Sequence, residues 1–177
     1  MKKIKVILTG MVLIMICVFS CGCNNIKYNV KLYSNVGEWI DKSFINGNKV
    51  KAYYLNENYV EGVSYPDEQY IYENDAPEKR FFIFESDLEF KKIFVNCEEK
   101  IDFSKEIVIL YIFADVNFKI DYELKSVKHK NGILSITAKL CNTNSDGATA
   151  PYPRCFMIKM NKMEITDVKL ELKAYYK

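Results

Sequence analysis

The sequence predicts an α+β fold: a mainly antiparallel β-sheet with one packed helix, preceded by an N-terminal signal peptide. Three observations carry this reading. Strand-like segments follow one another through the second half of the chain, from Ile107 to Lys173. Only the segment after Ser86 joins a helix cap to a convincing helical run. Strands in succession with a lone helix give separate layers rather than alternating βαβ units. The first twenty-three residues carry an export pattern instead of a folded element.

That pattern is specific. Lys2, Lys3 and Lys5 precede an apolar run from Val6 to Phe19, which ends in Val18-Phe19-Ser20-Cys21-Gly22-Cys23. A basic start, a short apolar stretch and a small residue before the cut make a secretory signal peptide. A Cys directly after the cut is the mark of a bacterial lipoprotein. Val18 at −3 and Ser20 at −1 frame Cys21, with Phe19 bulky at −2. Cys23 is the alternative lipidation site, with Gly22 at −1 but Ser20 in the less suitable −3 place. A spanning helix is the competing reading. The sixteen residues from Ile4 to Phe19 include Lys5 and fall short of the about 20 apolar residues that a span requires. The expected organisation is a signal peptide at 1–20, a lipid anchor and tether at 21–30, and one domain at 31–177. Acyl chains on Cys21 would hold the protein to the outer face of the cytoplasmic membrane, in the cell envelope. Each buried methylene is worth about 0.8 kcal/mol, so stable anchoring takes more than one chain.

Removing residues 1–20 leaves 157 residues, enough for a real core. The mature chain then has 22 basic and 23 acidic side chains. That balance gives no reason to expect a nucleic-acid partner. Lys, Asn, Ile, Tyr and Phe are abundant, the imprint of AT-rich codons, so an aromatic excess needs no functional cause. Cys23, Cys97, Cys141 and Cys155 remain after lipidation of Cys21. Export permits disulfides. A Cys141–Cys155 bridge would close a loop of about 15 residues, worth about 3 kcal/mol in the entropy model. Free thiols are the rival reading. No Cys/His cluster suggests a metal site, and no cofactor is expected.

Along the domain, Ser34 to Phe44 predicts a brief helix with Val36, Trp39 and Ile40 on one side and Ser34 as cap. Lys49 to Leu55 reads as a strand, and Tyr59 to Glu73 as an edge strand or ordered loop, interrupted by Gly62 and Pro66. Arg80 to Phe84 is a short apolar strand. Ser86-Asp87-Leu88-Glu89 is a capping-box pattern opening a helix to about Val95, with Leu88 and Ile93 among its buried candidates and Phe90 and Phe94 on one face.

Ile107 to Ala114 is eight consecutive apolar residues, the pattern of a strand covered on both faces. Asn117–His129 and Ile133–Leu140 alternate around Asn131-Gly132, the strongest short hairpin signal. Register sharpens this. A two-residue turn pairs Val127 with Ile136, both core-facing, but then sets Leu124 opposite Lys139 on the wrong face. One extra residue at Lys125-Ser126, a β-bulge opposite Thr137, puts Leu124 against Ala138 and Tyr122 against Leu140. Asn142 to Arg154 reads as a loop. Cys155–Met160 and Asp167–Lys173 complete the expected antiparallel sheet.

Residues 81–172 resemble the C-terminal domain of the protease-complex subunit PrcB and related lipoproteins. The likeness rests on Phe82-Ile83-Phe84-Glu85-Ser86-Asp87-Leu88 leading into a helix, and on Ile101-Asp102-Phe103-Ser104-Lys105-Glu106-Ile107-Val108. The hairpin Val127–Leu140 and the strand Phe156–Met160 continue it. Where that family has a glycine-rich turn after the central strand, this chain has Asp115-Val116-Asn117-Phe118. The resemblance implies a sheet-and-helix domain more than a role with a protease.

Signs of chemistry are few. His129 is the only His and sits at a hairpin tip, a poor place for a catalytic base. No phosphate-binding glycine loop is present. Tyr53, Tyr54, Tyr59, Tyr65, Tyr70 and Tyr72 crowd one segment. Strand packing is the plainer explanation, yet Tyr53 and Tyr70 are candidate ligand contacts. The expected function is a non-enzymatic envelope lipoprotein that binds a protein or peptide. The alternative is a carbohydrate-binding module built on the Tyr-rich 53–72 segment. A protein binder would expose an apolar patch or an open sheet edge. A sugar binder would expose coplanar Tyr rings.

Overall fold

The computed structural model describes residues 29–34, 36–116, 121–141 and 150–173. The strands are β1 (Lys31–Tyr33), β2 (Tyr53–Leu55), β3 (Tyr70–Tyr72), β4 (Lys79–Phe84), β5 (Glu106–Asp115), β6 (Asp121–Lys130), β7 (Ile133–Cys141), β8 (Tyr152–Asn161) and β9 (Asp167–Lys173). The helices are α1 (Lys42–Gly47) and α2 (Asp87–Ile93), with 3-10 turns at Val36–Trp39 and Pro66–Gln69. Strand predominates and most of the pairing is antiparallel, consistent with an α+β fold.

β5 organises the molecule because it is apolar on both sides. Ile107, Ile109, Tyr111 and Phe113 point one way, and Val108, Leu110 and Ile112 the other; all are buried. It lies inside a four-stranded antiparallel sheet of order β1–β8–β5–β4. The first face packs on Tyr122, Leu134, Ile136 and Leu140 of a second, three-stranded sheet, β6–β7–β9. The second face is covered by Val36, Ile40, Val50, Tyr54, Phe90 and Phe94. The result is a helix-and-loop layer, a central sheet and an outer sheet.

The expectation of one antiparallel sheet is therefore corrected. The strands divide between two sheets, and β9 runs parallel to β7, from Ile133↔Asp167 to Lys139↔Lys173. The reason lies in the apolar faces. The helix-and-loop layer covers only one side of β5, so the apolar face of the β6–β7 hairpin covers the other. The chain then visits the first sheet as β8 and returns beside β7 in the same direction, the kind of crossover that parallel pairing requires.

The hairpin follows its sequence closely. Asn131 has φ 52° and Gly132 φ 76°, as a type I′ turn demands. Val127 pairs with Ile136, Leu124 with Ala138 and Tyr122 with Leu140, and the register shifts between Leu124 and Ser126. The bulge stands where the alternation required it. Exposed Lys125, Lys128 and Lys130 guard this edge strand against further pairing.

The helical expectations held less well. Residues 34–44 do not form one helix. A 3-10 turn ends at Trp39, Ile40 bridges to Phe94, and the Asp41 N–H donates to the Ile93 carbonyl at 2.8 Å. Asp41, not Ser34, caps the α-helix that follows, its carboxylate accepting from the Phe44 N–H at 3.0 Å. Ser86 caps α2 as expected, accepting from the Glu89 N–H at 3.3 Å. Phe90 and Phe94 are buried and stacked with centroids 4.4 Å apart, but Leu88 is 69% exposed. The strand expected from Lys49 shrinks to β2, because Val50 and Ala52 bend into the core. β1 has no counterpart among the expected strands, and Val30 just before it packs on the core.

Tyr152 to Arg154, expected in a loop, begin β8. Pro153 fits there because β8 pairs with β1 only at 157–159, leaving one side of Pro153 free of ladder bonds. The Cys141–Cys155 bridge does not form. Both thiols are free: Cys155 is buried against the helical layer, while Cys141 ends β7 in the other sheet. Burial pushes the Cys155 thiol up to about 12. The Asp102-Phe103-Ser104-Lys105 step launches β5 as a side-chain-stabilised turn. Asp102 accepts from the Ser104 N–H at 3.1 Å and from Lys105 Nζ at 2.9 Å, which helps hold its carboxyl down at about 2. No helix among the described residues is long and apolar enough to cross a membrane. The expected signal peptide and the candidate lipidation sites Cys21 and Cys23 lie outside the described residues.

Candidate functional site

Residues 51–77 leave the body of the domain and return to it. The Lys51 N–H donates to the Pro77 carbonyl at 2.9 Å, closing the base. β2 and β3 form the stem, pairing Tyr53 with Tyr72, Tyr54 with Ile71 and Leu55 with Tyr70. This two-stranded ribbon joins neither large sheet. It is fixed to the body by the Tyr53 N–H, which donates to the Pro151 carbonyl at 2.9 Å, and by Tyr70 against Tyr152.

The lobe is ordered from within. Asn56 Oδ1 accepts from the Asn58 N–H at 3.0 Å, and Asn56 Nδ2 donates to the Glu68 carbonyl at 2.9 Å. Ser64 Oγ accepts from the Val60 N–H at 3.1 Å, and Glu68 accepts from the Tyr65 N–H at 3.2 Å. These bonds satisfy backbone groups locally, as Asn, Ser and Glu side chains do in turns. They leave the apolar side chains facing water. Val63 is 81% exposed, Tyr65 74%, Leu55 62% and Val60 54%. Tyr70, Ile71 and Tyr72 are also exposed. Most large exposed apolar residues among those described thus fall between 55 and 72, and only Leu88, Val95 and Val116 lie elsewhere. Scattered exposed apolar residues need no explanation, but a concentration does.

The ribbon has two faces. On one, Tyr53 packs on Tyr72 at 4.8 Å with an interplanar angle of 43°, and Tyr70 meets Tyr152 edge-on at 84°. These rings are inclined to one another and do not form a flat platform. On the other face, Tyr54 and Ile71 floor a cleft of about 460 Å³ walled by Asn46, Lys49 and Glu57. Lys49 lies 5.1 Å from the Tyr54 ring centroid and is ion-paired with Glu73. Burial raises the Tyr54 hydroxyl above its usual pKa.

The two Tyr residues singled out from sequence are both here. Tyr70 is exposed, and Tyr53 is half-buried beneath Tyr72. Sequence reasoning placed Tyr65 in the segment without singling it out and missed Leu55, Val60, Val63 and Ile71. A charge signal marks the same stretch: residues 52–78 hold seven acidic side chains and neither Lys nor Arg. His129 lies apart from the lobe in sequence and in its contacts, its Nε2 2.9 Å from the Glu164 carbonyl, where it ties the hairpin to the approach of β9. Among the described residues, no group of three or more His, Cys, Asp or Glu side chains could hold a metal ion. No protein-family model, curated protein or solved structure matches the chain.

Proposed function

We propose that this chain is an exported lipoprotein, held by acyl chains on Cys21 at the outer face of the cytoplasmic membrane. Its domain binds an envelope protein or peptide through the 51–77 lobe and performs no chemistry of its own. The carrying observation is the cluster of exposed apolar side chains from Leu55 to Tyr72 on an internally braced backbone. A braced surface loses little conformational entropy when a partner covers it. The resemblance of residues 81–172 to the PrcB C-terminal domain accords with a binding role. The inclined Tyr pairs favour a protein partner over a sugar, which stacks best on a flat aromatic face.

Two experiments test this reading. Cys21→Ser should release the protein from membranes or block its maturation, whereas Cys23→Ser should do neither; the reverse result moves the cleavage site. Capture from native envelope should recover protein with the wild-type domain and lose it on Val63→Ser with Tyr65→Ser. Recovery of wall polysaccharide alone, abolished by Tyr53→Ala or Tyr70→Ala, would replace this reading with the carbohydrate one.

A further inference from the structure

We infer that the partner of the lobe is a cationic peptide segment in extended conformation, which lays Lys or Arg side chains across the outer tyrosine face. The inference deepens the binding reading above and rests on it. Its first support is charge. Residues 52–78 carry seven acids and no base, although the mature chain as a whole is nearly balanced. Glu73 and Glu78 are ion-paired with Lys49 and Lys51 at the base of the lobe, while Glu61, Asp67, Glu68 and Asp75 enter no ion pair among the described residues. Such a field attracts a basic partner and speeds its encounter. It also repels a second copy of the same lobe and an anionic lipid surface.

The second support is a precedent inside the molecule. On the inner face, Lys49 stands over the Tyr54 ring and pairs with Glu73. One Lys thus satisfies a ring and an acid together, the geometry of a cation–π contact. The outer face offers Tyr70 and Tyr72, both exposed, and the turn that leads into β3 carries Asp67 and Glu68, with Tyr65 exposed just before it. Among the described residues no Lys–ring contact reaches these three tyrosines. The third support is the ribbon. β3 pairs with β2 alone among the described strands. Ladder bonds run through the Glu73 N–H to Ala52 and the Asn56 N–H to Gln69, so the amides of Tyr70 and Tyr72 are directed away from β2. An extended peptide can add there as a third strand, its alternate side chains meeting the tyrosine face.

The test uses fluorescence anisotropy on the intact chain. The probe is a labelled heptapeptide of alternating Lys and Val; its control has Glu in place of Lys. The Lys probe should bind, and the Glu control should not. Binding should weaken at least tenfold in about 1 M salt, where the Debye length is about 3 Å. Asp67→Lys combined with Glu61→Lys should weaken it by a similar factor, Tyr72→Ala should weaken it too, and Lys128→Glu on the far hairpin should not. Equal binding of both peptides, or binding indifferent to the lobe charge reversal, overturns the inference. If both peptides bind equally and Tyr72→Ala still weakens them, the binding role of the lobe stands and only the cationic partner falls. If neither peptide binds while the lobe still captures envelope protein, the cationic partner falls in the same way.

Discussion

Gly132 and Thr166 approach so closely that no side chain fits between them: an added Cβ at Gly132 would stand 2.6 Å from Thr166 Oγ1. The Thr166 N–H donates to the Gly132 carbonyl at 2.8 Å, so the approach to β9 is docked directly on the β6–β7 turn. Gly132 also has φ 76°, which a side chain resists. Gly132→Ala should therefore cost about 1–3 kcal/mol in urea unfolding. Adding Thr166→Ala should recover the steric part and leave the backbone part. A single-variant loss below about 0.5 kcal/mol would mean that the turn and the strand entry move apart freely.

Leu110 is fully buried on the face of β5 that meets the helical layer. Leu110→Ala should cost about 2–5 kcal/mol through lost burial and an unfilled cavity. Leu88→Ala on the exposed side of α2 should change stability by no more than about 0.5 kcal/mol. Denaturant titration of both variants checks the layer assignment, and a loss below about 1 kcal/mol at Leu110 contradicts it.

Cys155 gives a signature in alkaline solution. Its thiol keeps its proton up to about 12 in the folded protein, against a reference of 9.0. The unfolded chain releases that proton first, so the contribution is present below about pH 9 and is lost as pH rises towards 12. Wild-type stability should fall more steeply over that window than that of Cys155→Ala. At pH 8 the thiol should resist iodoacetamide, while Cys141, which is only partly buried, reacts first. Equal alkylation rates would show that Cys155 is not shielded.

Local chemistry explains which parts of the fold were legible in the chain. The hairpin, its turn and its bulge followed from Asn131-Gly132 and from which face Leu124 and Val127 must share. The double burial of β5 followed from eight apolar residues in a row. Sheet membership did not, because an apolar face says that it needs a cover without saying which cover. β9 alternates just as well beside β7 as beside any antiparallel neighbour. The helix expected at 34–44 failed because a tertiary hydrogen bond, from Asp41 to Ile93, overrode a weak local preference.

The candidate site was half legible. The tyrosine crowd pointed to the right segment, and Tyr70 proved exposed. The pattern could not separate Tyr54, which is buried, from Tyr53 and Tyr72 on the other face, because the ribbon has only three residues per strand. Val60 and Val63 look like core residues in sequence. They are exposed because Asn56, Ser64 and Glu68 fold the backbone around itself, without a second layer to bury them.

The proposed function makes the 51–77 lobe the surface that the domain offers to a protein partner. Site-specific photo-crosslinking in intact cells tests it most directly, with the crosslinker placed in turn at Val63, Tyr65, Ile71, Lys128 and Lys169. Protein adducts of one discrete mass should form from Val63, Tyr65 and Ile71, and none from Lys128 or Lys169. Adducts from Lys128 or Lys169 with none from the lobe would contradict it.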